Sequence, residues 1–463
     1  IGDGMSYPQI QSTSDYLGAL NDEDYWQAQP SLDDNQGAIL DGPEYLNFMN
    51  FEGVGTAVTF DSNSFAPDSA STATSIATGH KTYSGSINVD ETGTVEYETI
   101  AEQLKAQKGY EIGVITSVNL NHATPAAFYA HQASRSSYYE IGLEMVESDF
   151  DYFAGGGLLD PTGSEGDQTD LYQLAQEAGY TVARTYAEAD AISADTDKAI
   201  IIEENLADSD AIPYEIDRTD DMWSLADYVE KGIEVLDNDT GFFMMCEGGK
   251  IDWACHANDA ASTIHDTQAL ADAVQVAIDF AAEHPDETLI LVTGDHETGG
   301  LTIGFAGTDY DTYLDLLENQ KISYAKFDSD YVASYKENKT PFEDVLSDIE
   351  ELFGLKAQGA ADDKLVLTEY EMEQLRAAYE KSVNGTAASQ YEQEEYVLYG
   401  TYEPLSVTIT HIINNKSGIS FTSYSHTGLP VAVLAEGVGA ENFSGYYDNT
   451  QIYEKMADLL NIA

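Results

Sequence analysis

The chain has 463 residues, of which 83 are Asp or Glu and only 19 are Lys or Arg, so its formal net charge is −64. This charge excludes a nucleic-acid-binding protein, because such proteins present clustered Lys and Arg to the phosphate backbone. Hydrophobic residues make up 43% of the chain, which is enough for a packed core and argues against extended disorder. No apolar run reaches the roughly 20 residues that a membrane helix needs.

Short apolar or β-branched runs alternate along the chain with longer stretches of helical periodicity. The predicted strands are 57–60, 112–116, 199–202, 242–246, 289–293, 407–412 and 431–435. The predicted helices between them include 100–107, 222–236 and 260–282. Strands that alternate with helices predict an α/β fold, a three-layer α/β/α sandwich around a mostly parallel central sheet. Active residues in such a sheet collect beyond the carboxyl ends of the strands.

The segment 305–402 differs in character, because it is dense in Asp, Glu and Tyr and has few long apolar runs. Helical periodicity within it predicts helices at 341–353 and 367–381. We interpret this segment as a large acidic insertion into a single domain that spans residues 1–463. It either caps the active site or contacts a second subunit. The chain has no internal repeat and no low-complexity linker that would indicate a second independent domain.

A run of small hydroxyl residues at 68–74 (DSASTAT) follows the turn signal Ala66-Pro67 and continues into a helix-compatible stretch. A serine at the amino end of a helix lies beside free backbone N–H groups and the positive end of the helix dipole, which also suit a phosphate. Ser69 is therefore a candidate nucleophile. The alternative is that Ser69 and its neighbours are ordinary helix caps.

Two clusters of metal-ligand residue types follow predicted strands. In the first, Glu247 leaves the strand end toward a hard cation, and Asp252 and His256 are four residues apart, so on a helix they share a face and can bind one zinc ion. In the second, Asp295 and His296 are adjacent and flanked by glycines that permit a turn. Two zinc ions about 3.5–4 Å apart are a common means of cleaving phosphate esters. The alternative for the first cluster is a surface pair one helical turn apart, and the alternative for the second is a turn that carries a solvated histidine.

Together these motifs resemble the alkaline phosphatase family, because six of them occur in the family's order. They are 2–5 (GDGM), 68–74, 121–125 (NHATP) with Arg135 following, 247–256 (EGGKIDWACH), 294–298 (GDHET) and 425–428 (SHTG). In character the chain is closest to the marine Vibrio-type bacterial enzymes, which carry a long insertion used at the dimer interface. The family's first strand would lie upstream of Ile1.

The resemblance implies a phosphate monoester hydrolase of broad substrate range, in which Ser69 is transiently phosphorylated and Arg135 grips two phosphate oxygens. It implies two Zn²⁺ and one Mg²⁺ per chain. One zinc ion would be held by Asp252, His256 and His426, and the other by Asp3, Asp295 and His296. The magnesium ion would be held by Asp3, Thr124 and Glu247. His122 and Trp253 stand where the best-known enterobacterial member has an acidic residue and a lysine, which implies a different metal preference and phosphate release. The resemblance also implies a homodimer in the periplasm or secreted, with the signal peptide outside the given sequence.

The sequence leaves alternatives open. A phosphodiesterase or sulfatase of the same superfold would have similar metals but a threonine or modified cysteine as nucleophile, whereas Ser69 with Arg135 favours small phosphate monoesters. Outside enzymes, the alternative is an acidic cation-binding or surface protein. The net charge fits either a protein adapted to high salt or a merely acidic secreted enzyme. Cys246 and Cys255 either pack as free thiols or form a strained disulfide.

Overall fold

The chain folds around a central sheet with helices on both of its faces. The computed structural model describes residues 1–23, 25, 39–360, 362–385 and 392–462. No helix within these ranges combines the length and the apolar composition that crossing a bilayer requires.

The described strands form a five-stranded and a four-stranded part of the central sheet, together with two short two-stranded ribbons. In chain order they are β1 (Gly53–Val58), β2 (Glu111–Thr116), β3 (Tyr152–Gly155), β4 (Thr181–Ala183), β5 (Ala199–Ile202), β6 (Phe242–Glu247), β7 (Leu289–Thr293), β8 (Glu297–Thr298), β9 (Thr302–Ile303), β10 (Ile419–Ser420), β11 (His426–Thr427), β12 (Val431–Gly437) and β13 (Gly445–Asp448). One part is parallel throughout, with the order β4-β5-β3-β2-β6. The other has the order β13-β1-β12-β7, in which β12 runs antiparallel to both neighbours.

Helices connect these strands and build most of the segment after β9. They are α1 (Tyr7–Asn21), α2 (Ser69–Thr78), α3 (Ile100–Lys108), α4 (Ala123–Ala126), α5 (Tyr138–Glu147), α6 (Leu171–Glu177), α7 (Tyr186–Asp190), α8 (Leu225–Leu236), α9 (Lys250–His256), α10 (Ala260–Glu283), α11 (Tyr324–Phe327), α12 (Ala333–Asn338), α13 (Phe342–Phe353), α14 (Glu369–Asn384), α15 (Glu392–Tyr399), α16 (Pro404–Ser417) and α17 (Thr450–Leu460). Helices α3, α8 and α14 begin at capping boxes, in which the first backbone N–H groups are satisfied locally.

The first residues of the chain join the two parts of the central sheet. Gly2 forms parallel bridges to Gly248, just after β6, and to Gly294, just after β7. Its backbone N–H donates to the Thr293 carbonyl at 2.9 Å, and the Gly248 N–H donates to the Ile1 carbonyl at 2.8 Å. The next residue, Asp3, is therefore held between the carboxyl ends of two buried strands.

The two faces of the sheet are covered by separate apolar clusters. Alternate residues of β12 point to opposite faces, with Val433 in one cluster and Leu434 in the other, as the two-residue period of a strand requires. Helices α2, α3, α5, α6 and α17 contribute to the first cluster, and α1, α8, α9 and α10 to the second. The predicted sandwich around a mostly parallel sheet is confirmed.

The segment after β9 has an apolar centre of its own. Phe327, Phe353 and Leu375 are fully buried there, together with Leu405 of α16 and residues of α1. The helices predicted at 341–353 and 367–381 correspond to α13 and α14. The apolar cluster continues beyond residue 402, because α16 packs into it.

Most strands predicted from the sequence are present, and one is wrong. The runs 112–116, 199–202, 242–246, 289–293 and 431–435 are confirmed as β2, β5, β6, β7 and β12, and 57–60 overlaps the end of β1. The run 407–412 instead lies inside α16, where most residues are buried around the helix. A short apolar run has no periodicity that distinguishes a buried helix from a strand, so the β-branched composition was misleading there.

Both cysteines are free thiols. Cys255 is buried on α9, where its sulfur lies 3.7 Å from the Gln9 amide nitrogen and 3.5 Å from the Thr263 hydroxyl. Burial raises the pKa of the Cys246 thiol to about 12, which keeps this thiol protonated. The two cysteines therefore pack as free thiols and do not form the strained disulfide that the sequence left open.

We expect Gly155→Ala to destabilise the protein more than Gly179→Ala does. Both glycines have positive φ, at 137° and 98°, so a side chain strains the backbone in either place, by about 1–3 kcal/mol. A Cβ at residue 155 would additionally lie 1.9 Å from the Thr116 carbonyl oxygen on the neighbouring strand, whereas nothing lies within 4 Å at residue 179. Urea unfolding midpoints measure the difference, and equal shifts for the two variants would contradict this account of β2–β3 packing.

Candidate functional site

Acidic and imidazole side chains gather at the carboxyl ends of β6 and β7. Glu247 is the last residue of β6, and Asp295 and His296 follow the end of β7 within one turn. Asp3 lies between them because its segment pairs with both strand ends. Asp3, Glu247, Asp295 and His296 are all fully buried. The prediction that strand ends collect the chemistry therefore describes this edge of the sheet.

Asp252, His256 and His426 form the first group of ligand atoms, which lie within 4.8 Å of one another. His256 Nε2 lies 3.0 Å from His426 Nε2 and 3.4 Å from an Asp252 oxygen. The Nδ1 atoms of the two rings lie 2.6 Å from the backbone carbonyls of Tyr424 and Pro67. A carbonyl only accepts, so both Nδ1 atoms carry a proton, and neutral rings present the bare Nε2 atoms that a metal ion binds.

Asp3, Asp295 and His296 form the second group, and Ser69 lies against it. His296 Nε2 is 3.3 Å from an Asp3 oxygen and 3.4 Å from an Asp295 oxygen. The Ser69 hydroxyl lies 3.1 Å from His296 Nε2 and 3.3 Å from Asp3 Oδ1. Thr72, one turn further along α2, donates to the same Asp295 oxygen, Oδ2, at 3.0 Å. A cation bound to this group would contact the Ser69 hydroxyl directly.

Asp3, His122 and Glu247 form the third group, and two threonines complete it. Thr124 donates to Asp3 Oδ2 at 3.3 Å, and Thr116 donates to one Glu247 oxygen. The other oxygen, Glu247 Oε1, and His122 Nδ1 are buried and form no hydrogen bond. Buried polar atoms are nearly always paired, so these two atoms indicate a missing partner such as a hydrated cation.

Ser69 is the first residue of α2, and the structure brings Arg135 beside it. Asp68 caps this helix by accepting from the Ser71 N–H at 3.1 Å, and its other oxygen accepts from Arg135 Nη1 at 2.8 Å. Burial disfavours the Asp68 carboxylate, but the guanidinium outweighs this effect and lowers the pKa of Asp68. Arg135 is thus fixed near the amino end of α2, where backbone N–H groups also face outward.

Arg135 also determines the proton position on His122. Its Nη2 lies 3.2 Å from His122 Nε2, and a guanidinium only donates, so Nε2 accepts and the proton of the neutral ring lies on Nδ1. Burial and the nearby Arg135 charge lower the pKa of His122 to about 3. The Trp253 ring packs edge-on against the His122 ring, with the two ring centroids 5.8 Å apart. His122 therefore presents an N–H donor, rather than a lone pair, to the third group.

The carboxyl groups at this edge repel one another. Burial, followed by the charge of Asp295, raises the pKa of Asp3 well above its usual range. Burial, with a contribution from the Asp252 charge, raises the pKa of Asp295 to about 7, and burial raises that of Glu247 to about 6. Burial opposes protonation of His256, yet Asp252 raises its pKa to about 9. Divalent cations among these groups would relieve the repulsion.

Sequence reasoning missed several residues that orient the ligands. Thr298 donates to Asp252 Oδ1 at 2.5 Å and lies 3.3 Å from His296 Nδ1, so it contacts ligands of two groups. Thr72 and Thr116 play the same part for Asp295 and Glu247. Thr72 and Thr298 lie inside the motifs quoted from the sequence, so their position was a usable signal. Thr116 ends a strand that no motif marks.

The predicted site residues converge in three adjacent groups, and comparison with known proteins gives them a context. A family model described as alkaline phosphatase matches residues 1–462. The chain belongs to the alkaline phosphatase family. It is therefore a phosphate monoester hydrolase.

Alkaline phosphatase 3 of Bacillus subtilis (strain 168) is 30% identical over 463 residues, which cover 98% of this chain and 86% of the relative. The crystal structure of a cold-active alkaline phosphatase from Shewanella sp. is also 30% identical, with a TM-score of 0.75 and coverage of 99% and 98%. A His-to-Glu variant of the alkaline phosphatase from the Antarctic bacterium TAB5, with Mg bound in its M3 site, shares the fold, at 24% identity, a TM-score of 0.63 and coverage of 100% and 96%.

We expect chelation to destabilise this alkaline phosphatase more at pH 8 than at pH 5. The folded pKa of Asp295 is about 7 and that of Glu247 about 6, both above their unfolded values, so the chelated protein loses stability as pH rises through this window. Bound cations remove that loss, because they favour the ionised carboxylates. Thermal unfolding with EDTA or with added Zn²⁺ and Mg²⁺, at both pH values, measures the effect.

The control is Asp295→Asn in EDTA, which removes one titrating carboxyl and should flatten the decline in unfolding temperature between pH 5 and pH 8. If chelation shifted the unfolding temperature equally at both pH values, the repulsion described for this site would be refuted.

Proposed function

We propose that this alkaline phosphatase hydrolyses a broad range of phosphate monoesters through a phosphoserine formed on Ser69. The observation that carries the proposal is the position of the Ser69 hydroxyl, within 3.3 Å of both His296 Nε2 and Asp3 Oδ1 at the amino end of α2. Arg135 lies beside the same helix end, bound to Asp68. A nucleophile, a metal-ligand group and a fixed guanidinium thus share one place.

We propose two Zn²⁺ and one Mg²⁺ per chain as cofactors. The ligand types support this assignment, because imidazole and carboxylate suit zinc, and the oxygen-rich third group suits magnesium. The bare Nε2 atoms of His256 and His426 lie 3.0 Å apart, where two lone pairs repel unless a cation or proton lies between them. When bound, such ions supply Lewis acidity that lowers the pKa of an adjacent hydroxyl or water and neutralises charge on the transferring phosphoryl group.

The chain's own residues then carry the transfer. Ser69 Oγ attacks phosphorus as its proton passes to solvent. The bond between phosphorus and the alcohol oxygen breaks as the new bond forms, and the alcohol leaves with a proton taken from water. The N–H groups at the start of α2 and the guanidinium of Arg135 stabilise the phosphoryl oxygens. Asp68 keeps Arg135 oriented toward this place. Water then cleaves phosphoserine, releasing inorganic phosphate and restoring the Ser69 hydroxyl.

The third group would hold magnesium through Asp3, Thr124 and Glu247. The Mg²⁺ in the M3 site of the TAB5 variant supports a third cation in this fold. His122 has no free lone pair for the ion while Arg135 donates to its Nε2, so its Nδ1–H is suited to a water molecule at that site. Magnesium usually keeps several waters, which fits a donor at this position.

The wider setting follows from the family resemblance. We propose that the protein is a homodimer that works outside the cytoplasm, in the periplasm or secreted. The acidic segment 305–402 would then be an insertion in a single domain that caps the site or contacts the second subunit. The net charge of −64 supports either function in high salt or a merely acidic enzyme. Small phosphate monoesters are the proposed substrates.

We expect Ser69→Ala to lower kcat/KM for p-nitrophenyl phosphate by more than about a thousandfold, because the substitution removes the hydroxyl that accepts the phosphoryl group in the proposed mechanism. Acid-quenched wild-type protein should carry one phosphoryl group on the peptide that contains Ser69, detected by mass spectrometry. The control is Ser75→Ala on the same helix, whose buried hydroxyl only donates to the Ser71 carbonyl. Full activity in Ser69→Ala would refute the covalent mechanism.

We expect p-nitrophenyl phosphate to be a better substrate than bis-p-nitrophenyl phosphate. Arg135 and the start of α2 can pair with the oxygens of a dianionic monoester, and a diester has one fewer charged oxygen to pair. Steady-state kcat/KM values for the two esters, measured with the metal-loaded protein, test this. A preference for the diester would favour the phosphodiesterase alternative.

A further inference from the structure

An arc of aromatic rings runs from the segment before His426 to α9. In order of contact, it consists of the rings of Tyr424, Tyr402, Tyr324, Tyr214 and Trp253, with the Lys250 ammonium between the last two. The ring centroids along the tyrosines are 6.2, 5.7 and 5.8 Å apart, and the Lys250 ammonium lies 3.8 Å from the Tyr214 ring and 4.7 Å from the Trp253 ring. Residues of the acidic insertion thus join residues of the sandwich in one chain of ring contacts, in which Tyr214 and Lys250 are buried.

Both ends of the aromatic arc contact the candidate site. At one end the Tyr424 carbonyl lies 2.6 Å from His256 Nδ1, the ring nitrogen opposite the one in the first ligand group. At the other end the Trp253 ring contacts His122, which is bonded to Arg135. The arc therefore passes beside the Asp252, His256 and His426 group.

Buried contacts hold the aromatic arc in place. Lys250 is fully buried, and its ammonium donates to Asp208 at 2.7 Å while contacting the two flanking rings. The Tyr214 and Tyr324 hydroxyls lie 3.2 Å apart, and the Tyr424 hydroxyl donates to the Leu398 carbonyl at 2.7 Å. Rings that are held in this way lose little conformational entropy when a ligand binds to them.

Tyr402 is the insertion residue of the arc that contacts Tyr424, whose carbonyl lies beside His256. Its ring is partly exposed, and it contacts both Tyr424 and Tyr324. Burial and then the Asp252 charge raise the pKa of its hydroxyl. Tyr214 and Lys250 are buried, so the partly exposed rings of the arc are those of Tyr324, Tyr402, Tyr424 and Trp253.

We propose that the partly exposed rings of the aromatic arc form a leaving-group subsite, in which Tyr402 contacts the alcohol part of the substrate and favours aromatic alcohols. The proposal rests on the function proposed above. Ser69 lies against the group of Asp3, Asp295 and His296, and attacking and leaving oxygens are in line, so the departing alcohol oxygen is assigned to the neighbouring group of Asp252, His256 and His426. A ring on the alcohol would pack against the Tyr402 face. The resulting preference should be about two- to tenfold, the range expected for one aromatic pair.

The test compares benzyl phosphate with methyl phosphate, whose leaving alcohols have similar acidity, so the ratio of their kcat/KM values reports contacts to the ring. We expect Tyr402→Leu to lower this ratio by about two- to tenfold and Tyr402→Phe to preserve it, because the face of the ring makes the contact. The matched control is Tyr370→Leu, an exposed tyrosine on α14 of the same segment, which should leave the ratio unchanged.

A second measurement needs no variant. In the wild-type protein, benzylphosphonate should inhibit hydrolysis about two- to tenfold more strongly than methylphosphonate, since neither inhibitor undergoes the reaction. Equal inhibition by the two phosphonates would overturn the subsite. An unchanged benzyl-to-methyl kcat/KM ratio in Tyr402→Leu, or an equal loss of activity on both esters in that variant, would also overturn it. The same change of the ratio in Tyr402→Phe would overturn it as well. If the wild-type protein hydrolysed neither ester, the proposed function itself would fail.

Discussion

Repulsion among buried carboxyl groups is the constraint around which this structure is organised. Asp3, Glu247 and Asp295 are fully buried within one edge of the sheet, although isolated buried charges are among the most unfavourable groups in a protein. Burial raises the pKa values of all three carboxyl groups, and neighbouring carboxylates raise those of Asp3 and Asp295 further. Packing this many acidic groups together is tolerable when divalent cations occupy the space among them.

Backbone pairing explains how the crowding arises. Gly2 bridges to both Gly248 and Gly294, so the segment that carries Asp3 closes the gap between the parallel and the mixed part of the sheet. The carboxyl ends of β6 and β7 then meet at one edge. There is no space for adjustment at Gly294, because a Cβ on it would lie 1.8 Å from the Met5 carbonyl oxygen. The position of the acidic groups is therefore built into the sheet itself.

The strongly negative protein must nevertheless receive a negatively charged substrate. A net charge of −64 repels a phosphate ester at long range, so attraction has to be local. Arg135, the N–H groups at the start of α2 and the cations proposed for the three groups provide it. The partly exposed tyrosine rings of the aromatic arc add uncharged contacts on the side proposed for the alcohol.

Local sequence pattern was enough for much of the fold and for the ligand types of the site. Apolar runs bounded by polar residues identified β2, β5, β6, β7 and β12, because strand burial leaves a local signature. Asp252 and His256 could be paired from their spacing alone, since four residues make one helical turn. The remaining ligands were assigned by resemblance of motifs, which gives their identity but not their geometry.

Only the tertiary structure decided which distant residues meet. The run 407–412 became helix because packing, rather than β-branched composition, determines the conformation of a buried segment. The bridging position of Gly2, the tautomer of His122 and the contact of Thr298 with two ligand groups depend on partners far away in the sequence. The aromatic arc joins residues 214 to 424 for the same reason. Side-chain types and short spacings are local properties, whereas a shared surface exists only after the chain has folded.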